Sequence, residues 1–136
     1  GQIAAKYCDT VILADEDPRG EDSVELLEMI ASGCKDENGN FLKREERLYI
    51  IPDRKKAIRK AFSLCQKDDI VLLVGKAHEN SIIYKDYVMP YDEISEAEKI
   101  KTANNGDKTM KEAPSVSPKS SECVAKKCCG NAAANN

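Results

Sequence analysis

The sequence lacks the features that mark chains binding nucleic acid or spanning a membrane. Its 136 residues carry a formal net charge of −3, and no basic stripe with interleaved aromatic side chains occurs, which argues against a polyanionic partner. No apolar run approaches the ~18 residues needed to cross a bilayer. The N-terminus has no basic region followed by an apolar stretch, so no signal peptide is expected, and it has no initiator Met. We therefore expect a piece of a longer protein.

Six cysteines are present, but their placement does not favour a disulfide framework. Cys8, Cys34 and Cys65 lie in or just after helical patterns, where free thiols are expected to pack as small apolar side chains. The other three lie in a polar C-terminal segment without a partnering His or a second pair at finger-like spacing, so no metal site is expected. This usage fits a reducing, cytoplasmic compartment.

Strand and helix patterns alternate along the first hundred residues. Continuous apolar runs at 11–15, 48–51 and 70–74 are typical of strands buried on both faces, and apolar residues at helical spacing lie between them. A short extended segment or hairpin is expected over residues 82–91. The alternation predicts an α/β fold, Rossmann-like, with a mostly parallel sheet flanked by helices.

Helix starts and the domain boundary follow from local composition. Asp22 and Asp53 are predicted N-caps, and either Asp92 or Ser95 is predicted to cap a final helix. From about Thr102 the sequence turns to Asn, Lys, Ser, Pro and Ala, which cannot bury enough surface to offset its ordering entropy. We therefore expect one domain over residues 1–101 and a disordered polar tail over residues 102–136.

A charged loop follows the first predicted strand. Residues 15–22 place the guanidinium of Arg19 among carboxylates, directly before a predicted helix. A guanidinium can bind a carboxylate bidentately, a helix N-terminus favours anions, and acidic side chains can hold an ammonium group. The loop therefore suits a zwitterionic amino acid, while the alternative is a solvated turn with a surface salt bridge.

A second loop, GKAHE at residues 75–79, follows the apolar run at 70–74. A glycine directly after a buried strand lets the backbone approach a ligand closely, and Glu79 can accept hydrogen bonds from an amine. His78 is the only histidine and is either functional or a structural loop residue. The loop is not a phosphate-binding loop, because no Gly stands five residues earlier and Ala77 occupies the Ser/Thr position.

Together these stretches resemble the C-terminal domain of the Mur ligase family, and most closely its tripeptide synthetases. In that family an Asp-Asn-Pro-Arg loop, Glu-Asp-Pro, an Asp-Arg-x-x-Ala-Ile helix, a Gly-Asp-x-Val-Leu strand and Gly-Lys-Gly-His-Glu follow in order. The corresponding stretches here begin at Glu16, Glu21, Asp53, Asp68 and Gly75. Order and spacing agree over about residues 2–100, which is far more specific than any one motif.

The resemblance implies roles for individual residues of the two loops. Arg19 would hold the carboxylate at the far end of an incoming diamino acid, and Glu16 and Asp17 would line the same pocket. The carbonyl of Gly75 and the carboxylate of Glu79 would contact the distal ammonium. Lys76 and His78 would support the second loop.

Two departures from the family pattern bear on the substrate. Glu16 and Asp17 replace the Asp-Asn pair and make the pocket more acidic, and Ala77 replaces a Gly and would be strained at positive φ. Arg19 favours meso-diaminopimelate, because lysine and ornithine lack the second carboxylate. Neutralisation of Arg19 by Asp17 would instead admit lysine or ornithine.

The resemblance also implies that the chain alone is inactive. Family members use ATP and Mg²⁺, bound mainly by a central domain that is not represented in this sequence, together with UDP-MurNAc-L-Ala-D-Glu as the second substrate. The first strand of the C-terminal domain is also not represented, and in a doubly wound sheet that strand is central. We therefore expect an unfilled sheet position between residues 11–15 and 70–74.

Other functions remain open from sequence alone. The chain could be a stand-alone module that binds a diamino acid without catalysis, or a non-functional product of a truncated coding sequence. A folate polyglutamate synthetase is a further enzyme alternative, but its amino-acid loop lacks the Asp-Pro-Arg pattern.

Overall fold

The computed structural model describes residues 1–76 and 78–104 and a strand at residues 124–127. The helices are α1 (Gln2–Tyr7), α2 (Ser23–Ala31), α3 (Arg54–Leu64) and α4 (Glu93–Asn104). The strands are β1 (Thr10–Leu13), β2 (Leu48–Ile50), β3 (Ile70–Leu73), β4 (Ser81–Ile83), β5 (Val88–Pro90) and β6 (Val124–Lys127). The predicted α/β class is confirmed. None of the described helices is long and apolar enough to cross a membrane.

The main sheet has helices on both faces. Val11 and Leu13 of β1 pack with α1 and α2 on one face, while Ile12 packs with α3, α4 and the β4–β5 hairpin on the other. This division follows from the alternation of side chains along a strand. It explains why β1 reads as a continuous apolar run, since both of its faces are buried.

The predicted helix starts are confirmed. The carboxylate of Asp22 accepts hydrogen bonds from the N–H groups of Val24 and Glu25, and Asp53 accepts one from Lys56 N. Asp92, rather than Ser95, caps α4, because it accepts the N–H of Ser95 at 2.9 Å. Such caps satisfy N–H groups that have no partner within the helix.

The strand order is β2-β1-β6-β3, and this corrects one expectation. β1 pairs with β2 in parallel, and β1 and β3 do not pair with each other, as expected. The position between them is not vacant, however, because β6 lies there and pairs antiparallel with both neighbours. The physical reason is that the N–H and C=O groups of two facing strand edges need partners, and a strand of either direction can supply them.

The C-terminal segment also differs from its expected state at two places. α4 continues to Asn104, three residues past the predicted boundary, and residues 124–127 form β6 rather than part of a disordered tail. The expectation for residues 105–123 and 128–136 lies outside the described residues, as do the three tail cysteines. Cys8, Cys34 and Cys65 form no disulfide within the described residues, and the first two are buried.

Candidate functional site

Three segments meet at the end of the sheet where β1 and β3 finish. The loop over residues 15–19 follows β1, the loop over residues 75–79 follows β3, and the β4–β5 hairpin lies beside the first loop. The hairpin is joined to that loop by two hydrogen bonds, from Arg19 N to Ile83 O at 3.0 Å and from Ile83 N to the Asp17 carboxylate at 2.9 Å. The C-terminal ends of sheet strands are where open α/β folds bind ligands.

A buried ammonium connects the two loops. The side chain of Lys76 is 0% exposed, and its Nζ donates to Oδ1 of Asp17 at 2.6 Å and also to Oε2 of Glu79. Asp17 and Glu79 belong to different loops, so one cation bridges them. The sequence placed Lys76 in a supporting role, whereas the structure places it at the centre of this cluster.

Charge pairing fixes the ionisation states within the cluster. Burial opposes the charged form of Asp17, but hydrogen bonds from Lys76 and Ile83 N outweigh it and lower the pKa of Asp17. Burial likewise opposes the charged form of Lys76, but its hydrogen bonds to Asp17 and Glu79 outweigh this and raise the pKa of Lys76. In both residues the hydrogen bonds and the opposite charges outweigh burial and favour the ionised form.

Arg19 has a backbone conformation that is uncommon for a residue with a side chain. Its φ is 54°, in the left-handed region where Cβ crowds the backbone. The bond from its N–H to Ile83 O, together with the turn formed by Glu21 N and Pro18 O at 3.0 Å, holds it there. The side chain is exposed, and its guanidinium forms no salt bridge with the described residues, so it is open to an anionic ligand.

Asp15 closes the base of the first loop. It is 5% exposed, and its Oδ2 accepts hydrogen bonds from Ser23 Oγ at 3.0 Å and from Tyr84 OH at 3.2 Å. Burial raises the pKa of Asp15, and the two hydrogen bonds offset only part of that effect. The network ties the start of α2 and the hairpin to the end of β1.

The remaining predicted site residues, Gly75, Glu16 and His78, also lie in the two loops. Gly75 has φ of 102°, a conformation that glycine adopts readily and other residues rarely adopt. Glu16 is half-buried and His78 is exposed in a turn. Ala77, for which strain was expected, lies outside the described residues.

Several residues of this region carried no assigned role from sequence. Tyr84 and Ile83 come from the hairpin, and nothing in their local pattern points to the first loop. Asp15 did carry a signal, since an ionisable residue at the end of a buried apolar strand needs polar partners. Arg54 carried a weaker one, as part of the Asp-Arg-x-x-Ala-Ile stretch.

The second loop does not present its lysine to a phosphate, and the described residues form no metal-binding cluster. The ammonium of Lys76 is enclosed by Asp17 and Glu79, so it is not presented to a phosphate. No group of three or more His, Cys, Asp or Glu side chains within the described ranges is arranged to hold a metal ion. What this end of the sheet presents is an exposed guanidinium beside carboxylates, which suits a ligand carrying both charges.

Comparison with known proteins places the chain in a family. Residues 1–77 match the family model described as Mur ligase, glutamate ligase domain. A UDP-N-acetylmuramyl-tripeptide synthetase of Treponema denticola is 67% identical over 100 residues, covering 74% of this chain and 18% of that protein. A synthetase of the same name from Treponema pallidum is 46% identical over 110 residues, covering 81% and 19%.

A third relative has a more specific name. A UDP-N-acetylmuramoyl-L-alanyl-D-glutamate–2,6-diaminopimelate ligase of Caldanaerobacter subterraneus is 41% identical over 93 residues, covering 68% of this chain and 18% of that protein. The chain thus spans less than a fifth of the length of these curated relatives. Both the matched residues and the identity show that the chain belongs to the Mur ligase family.

Proposed function

We propose that this chain is the amino-acid-binding part of an ATP-dependent ligase that adds a diamino acid to UDP-MurNAc-L-Ala-D-Glu in cytoplasmic peptidoglycan synthesis. The observation that carries the proposal is that Lys76 joins the carboxylates of Asp17 and Glu79 at one end of the sheet, where the loop that holds Asp17 also carries the exposed Arg19. Relatives bearing tripeptide-synthetase names support it. In a longer ligase the domain would be Rossmann-like, with helices on both faces of its sheet.

Each charged group of the site has a task in this proposal. Arg19 binds the distal carboxylate of the diamino acid, because its guanidinium is exposed and forms no salt bridge with the described residues. Glu79 and the carbonyl of Gly75 receive the distal ammonium, and Glu16 lines the pocket. Lys76 and His78 support the second loop, and Lys76 also limits the negative charge that Asp17 and Glu79 present.

Meso-diaminopimelate is the first candidate substrate, with lysine and ornithine second. Lysine would be favoured if Asp17 neutralised Arg19, but the carboxylate of Asp17 is hydrogen-bonded to Lys76 at 2.6 Å. The charge of Arg19 lowers the pKa of Asp17 less than the contacts with Lys76 and Ile83 N do. The guanidinium therefore keeps its charge for a second carboxylate, which only the diaminopimelate carries.

Catalysis needs parts outside these residues. ATP would supply activation of the precursor's carboxylate, with Mg²⁺ as its counter-ion, and both would be bound mainly by a central domain outside these residues. What the chain supplies is orientation, since a diamino acid held at its distal end presents its other amine to the activated carboxylate. Taken alone, the chain is proposed to bind the amino acid and to be catalytically inactive.

Calorimetric titration of the chain with meso-diaminopimelate, L-lysine and L-ornithine tests the binding proposal. Diaminopimelate is expected to bind roughly tenfold or more tightly than lysine, the difference made by one charge-assisted pair. Arg19→Gln is expected to remove that preference, while Arg44→Gln, which changes an exposed arginine paired with Glu28, leaves it intact. Equal affinities in the unchanged chain would contradict the assignment of diaminopimelate, and absence of binding to all three would contradict the site.

The role within a ligase is tested by the coding DNA upstream of Gly1. An in-frame phosphate-binding loop there supports the ligase. A start codon directly before Gly1 would instead leave a stand-alone binding module or a truncated, non-functional product.

A further inference from the structure

Arg54 is a buried cation that lies outside the two loops of the candidate site. It is the first residue of α3 and is 1% exposed. Its Nε and Nη2 donate to the two carboxylate oxygens of Glu93 at 2.8 and 2.7 Å. This bidentate pair neutralises the guanidinium, and Tyr91 OH donates to the same carboxylate at 2.6 Å.

The guanidinium also binds two backbone carbonyls beneath the site. Nη1 donates to Asp15 O at 3.3 Å and Nη2 to Val74 O at 2.6 Å. Asp15 is the first residue of the loop at residues 15–19, and Val74 directly precedes Gly75, the first residue of the loop at residues 75–79. One side chain therefore touches the start of both loops.

These contacts cross a gap that the sheet itself does not bridge directly. β1 and β3 are separated by β6, so their axes lie two strand spacings apart, about 10 Å. No ladder hydrogen bond joins β1 to β3, and Val124, the first residue of β6, pairs with Ile12 and Leu73. Beyond that pair, Arg54 links the two strand ends.

Arginine is suited to this task in a way that lysine is not. Its planar guanidinium presents five donors in a fixed fork, so a carboxylate and two carbonyls can be held at once in a defined arrangement. The ammonium of lysine is a point charge on a flexible stem and has three donors. If Arg54 served only to neutralise Glu93, it would not need to contact either carbonyl.

We propose that Arg54 is a positioning residue that sets the spacing between the loops at residues 15–19 and 75–79. The inference rests on the proposed function for its ligand, because meso-diaminopimelate is the ligand that spans Arg19 on one loop and Glu79 on the other. Glu93 and Tyr91 orient the guanidinium from α4 and the segment before it. Arg54 itself touches no substrate.

The test compares ligands that span both loops with ligands that reach only one. Meso-diaminopimelate spans both, 1,5-diaminopentane offers only ammonium groups, and glutarate offers only carboxylates. Arg54→Lys is expected to weaken diaminopimelate binding roughly tenfold, equivalent to about one charge-assisted hydrogen bond, while the single-loop ligands keep their affinities. A parallel loss for all three ligands would mean a merely structural role and would overturn the inference.

Hydrogen exchange separates this inference from the proposed function. Arg54→Lys is expected to speed amide exchange in both loops together, while exchange in α2 is unchanged. Arg44→Lys is the matched control, since Arg44 makes a bidentate but exposed pair with Glu28 at 3.2 and 2.5 Å. If exchange in both loops is the same in Arg54→Lys as in the unchanged chain, the proposed role of Arg54 is overturned, whether or not a ligand binds. If no ligand binds to the unchanged chain, the proposed function is refuted instead.

A second variant keeps the test usable if Arg54→Lys does not fold. Glu93→Gln preserves Arg54 and the shape of its partner but removes the charge that orients the guanidinium. It is expected to weaken diaminopimelate binding and loosen both loops in the same direction, by less than Arg54→Lys. Loosening of only one loop would contradict a shared anchor.

Discussion

The ammonium of Lys76 lies 2.6 Å from the carboxylate of Asp17, a residue that precedes it by 59 positions. This contact joins the loop after β1 to the loop after β3. It also decides which cation the additional acid at Asp17 neutralises, and that cation is Lys76 rather than Arg19. In the proposed function, the charge of Arg19 therefore serves a ligand.

Lys76→Met tests how much the bridging ammonium stabilises the domain. The change leaves Asp17 and Glu79 as neighbouring carboxylates without their shared cation. The free energy of unfolding is therefore expected to fall by about 3 kcal/mol, which is the lower end for breaking a buried ion pair, because both acids are partly exposed. Urea unfolding measures it. Lys99→Met removes a lysine paired with Glu96 at 3.0 Å but 70% exposed and should change little; equal effects of the two variants would refute a special role for Lys76.

The pH dependence of stability reports the ionised state of Asp17. Its pKa in the folded chain lies below the ordinary value of 3.8, so the stability it contributes is present above pH 3.8 and is lost as the pH falls through the folded pKa. The difference in unfolding free energy between the unchanged chain and Asp17→Asn should therefore be largest near neutral pH and shrink in acid. A difference that stays constant from pH 7 to pH 3 would contradict an ionised, paired Asp17.

Asp15 supplies a comparison of opposite sign. Its folded pKa is raised above 3.8, so its contribution is most favourable below pH 3.8 and is lost as the pH rises through the folded pKa. The free energy of unfolding of Asp15→Asn should therefore increase with pH relative to that of the unchanged chain. The two values should differ most at neutral pH. A relative loss with rising pH would reverse the assignment.

Arg19→Gly separates stability from binding. Glycine relieves the strain of a left-handed residue, about 1 kcal/mol, so thermal stability should not fall, while the guanidinium that we propose to bind diaminopimelate is lost. Glu45→Gly is the matched control, because Glu45 has φ of 58° and lies outside the site; it should keep binding. Loss of binding in both variants would show that the effect is not specific to the guanidinium of Arg19.

Ala125→Pro tests the place of β6 in the sheet. Ala125 pairs with Val11 on one side and Leu72 on the other, and proline removes a ladder N–H from an interior strand. Hydrogen exchange in β1 and β3 should then increase. Unchanged protection of both strands would show that β6 contributes nothing to holding them.

The sequence allowed prediction of those features that depend on local pattern. The caps at Asp22 and Asp53 were predictable because capping is decided within three residues, and the strand at β1 because a strand buried on both faces is continuously apolar. The link between Arg54 and Glu93 spans 39 positions, and that between Asp17 and Ile83 spans 66. Such contacts depend on how the sheet assembles, and no local spacing encodes them.

The position of β6 could not be predicted for a different reason. The segment has only four residues, two of which are lysines, so its sequence gives a weak strand signal. Its place is decided by backbone hydrogen bonds to the facing edges of β1 and β3. Those edges need partners only once the fold has brought the two strands to either side of it. The gap between those strands was predictable from the family resemblance, but its occupant was not.

Titration of isotopically labelled chain with meso-diaminopimelate, followed by amide chemical shifts, tests the central claim most directly. We expect saturable shifts at Arg19, Gly75, Lys76, Glu79 and Ile83, with α2 beyond its first turn unaffected. Saturable shifts confined to residues remote from both loops, or no shifts at millimolar ligand, would contradict the assignment of this end of the sheet as an amino-acid site.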